Sequence, residues 1–300
     1  MPGIKHRVCG RLPEDMYIAP SILRHYKRID RVLKTLDPAA SPWALVLPDS
    51  QEPRGNIIVF PGSFNPPTLA HLALLRQAHT FARRQGGQHW QLYAALSKYS
   101  VDKEAVERMT LLDRVALLER VLRSQGQRVG ILLLNRGLYV EQAQGIRAAF
   151  PQVCSLYFLV GFDKIVQILD PRYYTERDAA LHELFSLAHL LVAPRGTAGK
   201  DALTALLARP ENRPFARFIH ALPLEERYLN ISSTQARQNQ EAQADELPGA
   251  AREFLARTRP YATPTREVSG NDLYAQRTRM LQALLRNASA GRSGDWHQSG

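Results

Sequence analysis

Cysteine is scarce in this chain: Cys9 and Cys154 are the only two in 300 residues. They form no disulfide framework and have no metal-ligand spacing, so neither a stapled secreted scaffold nor a zinc module is expected. Long apolar runs are lacking too. Leu156 to Val160 and Leu187 to Ala193, the latter broken by His189, are far too short to cross a bilayer. Met1 to Tyr17 lacks the apolar segment of a secretory leader, and Glu14 and Asp15 argue against a mitochondrial one. The expected setting is a reducing one, the cytoplasm, with the nucleus left open, and no membrane partner. The sequence also contains no P-loop, no HExxH and no G-x-S-x-G elbow, which sets aside the most common phosphate-binding, zinc-protease and esterase signatures.

The net charge is +11. Nucleic acid therefore comes into question as a partner. The excess is spread along the chain, however, with no basic run longer than two residues, as at Arg83-Arg84. No specific nucleic-acid partner is expected. Part of the excess suits a bound polyphosphate instead.

The hydrophobic pattern alternates between two periods. Strands are expected at 56–61, 89–96, 129–134, 153–160, 189–193 and 217–222. Helices are expected at 69–85, 104–125, 140–149, 176–187, 200–208, 232–240 and 249–258. Val106, Met109, Leu112, Val115, Leu118, Val121 and Leu122 keep one helical stripe, the mark of a helix lying on a sheet. The alternation predicts an α/β fold, a Rossmann-like, doubly wound parallel sheet with helical N- and C-terminal extensions. The expected organisation is an N-terminal helical extension over 1–55, with a helix from Pro20 to Leu36, and a central domain over 56–261. Residues 262–300 would carry a helix near Asn271 to Leu285 and a disordered polar tail. The extension helices are expected to pack on the core or on another subunit, so a homo-oligomer stays open.

Two segments carry the chemistry. Gly62 to His71 reads GSFNPPTLAH directly after the apolar run Ile57 to Phe60. A glycine at a strand end lets backbone approach an anion, and prolines stiffen the turn. The helix that follows directs open N–H groups at whatever lies above the strand, with His71 about one turn in. Far downstream, Asn230 to Arg237 reads NISSTQAR. Such a hydroxyl run alone is usually a helix cap. Hydroxyls with a guanidinium one turn later also suit phosphate oxygens.

Together these motifs resemble the nucleotidylyltransferase superfamily, most closely the nicotinamide-mononucleotide adenylyltransferases. That family's signatures are G-S/G-F-x-P-x-(H/T)-x-x-H after the first strand and ISSTxxR late in the chain. Thr68 stands where many bacterial members have His, as in the eukaryotic type, and Ala70 where many have Gly. The resemblance spans roughly 56–261. Leu159 to Asp163 is similar to the strand-end G-x-D of the family, and Leu190 to Arg195 to a later strand ending in Arg. Leu247-Pro248-Gly249, with Phe254-Leu255 and Tyr261, is similar to its closing segment.

The resemblance implies an enzyme joining nicotinamide mononucleotide, or its acid form, to the AMP moiety of ATP with release of pyrophosphate. His71, Ser233 and Arg237 would be catalytic. Gly62, Ser63, Phe64, His71, Gly161, Asp163, Arg195, Ser232, Ser233, Thr234 and Arg237 would contact the nucleotide. Ser63, Lys98, Lys103, Asn135 and Tyr174 would contact the acceptor, and Arg108 fits a basic family position on the next helix. Mg²⁺ would ride mainly on the ATP phosphates, so no metal-ligating residue is assigned. Asn135-Arg136-Gly137 stands where the family has a Trp followed closely by Ser or Thr. Another phosphorylated acceptor, or a nucleotide-binding protein without turnover, therefore stays open. The absence of an RTEGISTS-like motif argues against the cytidylyltransferase branch.

Overall fold

The computed structural model describes residues 18–86, 89–98, 108–126, 128–193, 199–238, 244–262 and 272–290. Its seven strands are β1 (Ala44–Val46), β2 (Gly55–Pro61), β3 (Trp90–Ser97), β4 (Val129–Leu134), β5 (Val153–Gly161), β6 (His189–Ala193) and β7 (Ile219–Ala221). They form one sheet in the order β1-β4-β3-β2-β5-β6-β7. Every neighbouring pair is parallel except β1 and β4. The six parallel strands thus follow the doubly wound order, and the winding reverses between β2 and β5. Ligands of such sheets lie beyond the carboxyl ends of the strands at that reversal.

The central strand shows why the sheet is buried on both sides. Ile57 to Phe60 is a continuous apolar run, as a parallel strand covered on both faces requires. Ile58 and Phe60 enter one core, shared with α1 (Pro20–Thr35), α2 (Leu69–Arg84), α3 (Leu111–Ser124), α9 (Gly249–Thr258) and α10 (Leu273–Ala290). Ile57 and Val59 enter the other, shared with α4 (Tyr139–Ala149), α5 (Phe162–Leu169), α6 (Arg177–Leu187) and α7 (Gly199–Ala208). One short helix, α8 (Ser233–Gln238), follows the sheet.

The six expected strands and most expected helices agree to within a few residues. Two differences stand out. Strand β1 was not expected, because three residues are too few to show a period of two. Helix α3 begins at Leu111, capped by the Thr110 hydroxyl, rather than at 104, and residues 104–107 lie outside the described residues.

The terminal helices meet over a single buried carboxylate. Asp113, only 1% exposed, sits in the first turn of α3. It accepts hydrogen bonds from the hydroxyls of Tyr26 on α1 (2.8 Å) and Tyr274 on α10 (2.6 Å). Arg277 pairs with it at 2.8 Å and also donates to the Tyr26 hydroxyl at 2.8 Å. Burial first, then the Asp113 charge, push both phenols above their ordinary pKa, so they remain donors. Among the described residues no helix is long and apolar enough to cross a membrane.

Asp113→Ala leaves Arg277 and two phenols without their acceptor. Removing one partner of a buried pair typically costs about 3–5 kcal/mol. We expect a loss of that size in urea unfolding, with Asp30→Ala, which breaks the partly exposed Lys34 pair on α1, costing about 1 kcal/mol or less.

Candidate active site

The turn between β2 and α2 is shaped by its own side chains. The Gly62 N–H donates to the Ala95 carbonyl at 2.9 Å, which carries the β2–β3 ladder past the strand end. Phe64 then takes φ +47°, a left-handed conformation that costs a bulky residue about 1–3 kcal/mol. The reward is burial. Its ring is fully enclosed and lies edge-on to Phe60, with centroids 5.4 Å apart. A Cβ on Gly62 would lie 3.0 Å from that ring, a contact tight enough that the ring would have to give way by a few tenths of an ångström. The peptide bond Asn65–Pro66 is cis.

Helix α2 starts with a capping box in which histidine replaces the usual Glu or Gln. The Thr68 hydroxyl accepts weakly from the His71 N–H, and His71 Nδ1 accepts from the Thr68 N–H at 3.0 Å. The Thr68 hydroxyl also lies 2.7 Å from Nδ1. An accepting Nδ1 assigns the ring proton to Nε2, which becomes the donor of the neutral imidazole. Burial pushes the His71 pKa down to about 4. The ring stays uncharged at neutral pH.

The two sequence motifs meet here. Ser233 Oγ donates to the Pro66 carbonyl at 2.9 Å, and Arg237 Nη1 to the Asn65 carbonyl at 2.8 Å. Arg237 Nη2 also donates to Thr234 Oγ1 at 3.2 Å. Ser232 caps α8, its Oγ accepting from the Gln235 N–H at 3.2 Å. Tyr261, beyond α9, donates to Asn65 Oδ1. Across the reversal, Gly161 ends β5 beside Ala193 of β6 and opens α5. Among the described residues no atom other than those of its chain neighbours lies within 4 Å of where its Cβ would stand. Asp163 is exposed in the first turn of α5.

One site residue escaped the sequence reading. Arg114, in the first turn of α3, donates to both the carbonyl (3.2 Å) and the hydroxyl (3.1 Å) of Ser63. Arg108, chosen for that helix, instead binds the Ala262 carbonyl and the Asp272 carboxylate. Arg114 directly precedes Val115 of the apolar stripe, so a cation at the border of the buried face was the available signal.

The residues expected at the acceptor are held as follows. Lys98 Nζ donates to the carbonyls of Leu33 (2.9 Å) and Leu36 at the end of α1. Asn135 is 1% exposed: its Oδ1 accepts from the Trp43 N–H at 2.8 Å, and its Nδ2 donates to the Asp37 and Ser41 carbonyls. Tyr174 follows the far end of α5 and donates its hydroxyl to the Ile168 carbonyl at 2.7 Å. It packs partly buried against the core. Lys103 and Arg195 lie outside the described residues.

The strand order and the turn at its reversal define a Rossmann-like α/β protein with an anion-receptive strand end. Residues 59–239, more than half of the chain, match the Cytidylyltransferase-like family, and the chain belongs to it. It is 29% identical over 146 residues to a candidate nicotinamide mononucleotide adenylyltransferase of Schizosaccharomyces pombe, covering 48% of this chain and 55% of that protein. The chain thus spans about half the length of that curated relative. Among solved structures it resembles the Plasmodium falciparum nicotinic acid mononucleotide adenylyltransferase complexed with NaAD, with a TM-score of 0.50 and 14% identity. That match covers 69% of this chain and 98% of the other, and it shows the shared fold.

Because the native His71 takes a proton only near pH 4 while an unfolded histidine does so near 6.5, acid draws protons into the unfolded state. Stability contributed here falls as pH drops from about 6.5 to about 4, and is level above and below that window. The full difference is on the order of 3 kcal/mol. His71→Asn should flatten this part of the urea-unfolding profile, measured against wild type at each pH.

Proposed function

We propose that this chain transfers the adenylyl group of ATP to the phosphate of a pyridine mononucleotide, nicotinamide or nicotinic acid, releasing pyrophosphate. The observation that carries the reading is the hydrogen bonding of Ser233 and Arg237 onto the Asn65 and Pro66 carbonyls. It joins both motifs in one place, at the reversal of the sheet.

The reaction brings its own nucleophile. An oxygen of the mononucleotide phosphate attacks the α-phosphorus of ATP, a new P–O–P bridge forms, and the bond to the β-phosphate bridging oxygen breaks. The protein then has to align two polyanions and offset the charge that gathers on the leaving group. His71 offers Nε2–H to the phosphates as a neutral donor whose direction is fixed by Thr68. Arg237, with Ser233 and Thr234, neutralises the leaving pyrophosphate. Arg114 steadies Ser63 and adds positive charge at the other side of the turn. Gly161 leaves room for the nucleoside, and Asp163 stands where a ribose hydroxyl would be met.

Among the described residues no group of three His, Cys, Asp or Glu side chains could hold a metal ion. Magnesium fits this site as a passenger on the ATP phosphates, where it would add Lewis-acid polarisation and charge neutralisation.

Purified protein with ATP, Mg²⁺ and either mononucleotide should release pyrophosphate. His71→Ala should lower kcat by about 10²–10³, with the fold retained by circular dichroism. ATP binding without release in the presence of either acceptor, or near-normal turnover of the variant, would sink the reading.

A further inference from the structure

Strands β6 and β7 carry two histidines that the candidate active site does not use. His189 opens β6, and His220 is the middle residue of β7. His220 pairs with Leu191, so it shares a face of the sheet with Leu191 and with His189 two residues earlier. Farther along that face, Leu191, Ala193 and Leu222 enter the core. Ala193, which pairs with Gly161 at the carboxyl edge, lies about 13 Å along β6 from His189. The histidines therefore stand toward the opposite edge of the sheet from the turn after β2.

Aromatic neighbours set both rings. The His189 ring stacks on Tyr157 with centroids 4.8 Å apart and planes 18° apart, and Phe218 meets it edge-on at 5.5 Å. The His220 ring lies 5.9 Å from that of Tyr157 and 6.4 Å from that of Phe81. The two imidazoles stack at 5.6 Å and 23°, which brings His220 Nε2 to 3.4 Å from His189 Nδ1. That separation is long for a hydrogen bond from an N–H donor, where about 2.7–3.2 Å is usual. It matches two nitrogens on one tetrahedral cation, which bonds of about 2.0–2.1 Å place about 3.4 Å apart. Burial lowers the pKa of both rings, and His220 lowers that of His189 further, so each is uncharged at neutral pH with a lone pair to give. Both side chains are only half-buried, so solvent reaches the pair.

We propose that His189 Nδ1 and His220 Nε2 form a two-imidazole site for a divalent transition-metal ion, zinc first among them, that clips β7 onto β6. Each ring keeps its proton on the other nitrogen, and water fills the two remaining tetrahedral positions. Imidazole suits zinc, copper and nickel, whereas the magnesium that rides on ATP seeks oxygen, so the two metals do not compete for one place. The clip has mechanical use. Strand β7 is three residues long and ends the sheet, so little ladder holds it. The chain runs on from β7 to α8, so holding β7 anchors the segment that carries Ser233 and Arg237.

Calorimetric titration of ZnCl₂ into the full chain at neutral pH should show a binding site that His189→Gln and His220→Gln each remove. Zinc should raise the thermal unfolding midpoint of the wild type and leave that of either variant unmoved. His79→Gln, which removes an exposed histidine of α2, should bind zinc as the wild type does. His220→Phe keeps a ring in the stack and removes the ligating nitrogen. It should lose the zinc site while holding the zinc-free midpoint, which separates lost ligation from lost packing. No zinc binding by the wild type, or an isotherm that His189→Gln or His220→Gln leaves unchanged, would overturn the proposal.

Discussion

Two backbone carbonyls, those of Asn65 and Pro66, hold this site together. They leave the sheet at its reversal with no ladder partner of their own, and each takes a donor from a segment some 170 residues away, Arg237 on one and Ser233 on the other. A buried carbonyl without a donor costs about as much as a lost hydrogen bond. The turn and the late motif therefore stabilise each other before any ligand is considered. The same contacts bring a guanidinium and hydroxyls to the turn that Arg114 reaches through Ser63. Arrangement of charge around the anion follows from satisfaction of the backbone.

The turn also shows how one side chain can serve two ends. His71 Nδ1 completes the cap of α2 and, in doing so, decides which nitrogen keeps the proton. Burial between Phe60 and Phe64 then keeps the ring neutral. Phe64 accepts an unfavourable φ to make that burial possible, and Gly62 is small so that Phe64 can fold beneath it. A donor of fixed direction and fixed charge is the outcome of this chain of local constraints.

The parallel sheet was legible because apolar runs of five to nine residues alternate with amphipathic helices, and periodicity reports that directly. The two segments that meet at the turn were legible for a different reason: each is a short motif whose spacing is local. The acceptor side was not. Lys98 and Asn135 stand at the right strand ends, but whether a polar side chain faces a ligand or its own chain depends on what packs there. Here the segment from Leu33 to Trp43 arrives from the N-terminus and takes both. No local pattern announces such a long-range claim. Arg114 was missed for a related reason, since its partner Ser63 lies 51 residues away.

The carboxylate of Asp113 bears on where this protein can be cut. Its donors come from both ends of the chain, Tyr26 from one side and Tyr274 and Arg277 from the other, and the helices that bring them also supply Ile29, Leu33, Leu281 and Leu285 to the core under the sheet. A fragment trimmed to the residues that match the family would keep Asp113 and lose every one of those three donors. Of the side-chain donors to this carboxyl, only the Thr110 hydroxyl would remain, and the apolar surface that α1 and α10 cover would be exposed. The sheet and the helices α1 and α10 share one buried polar cluster, and a stable fragment of this chain has to include both helices.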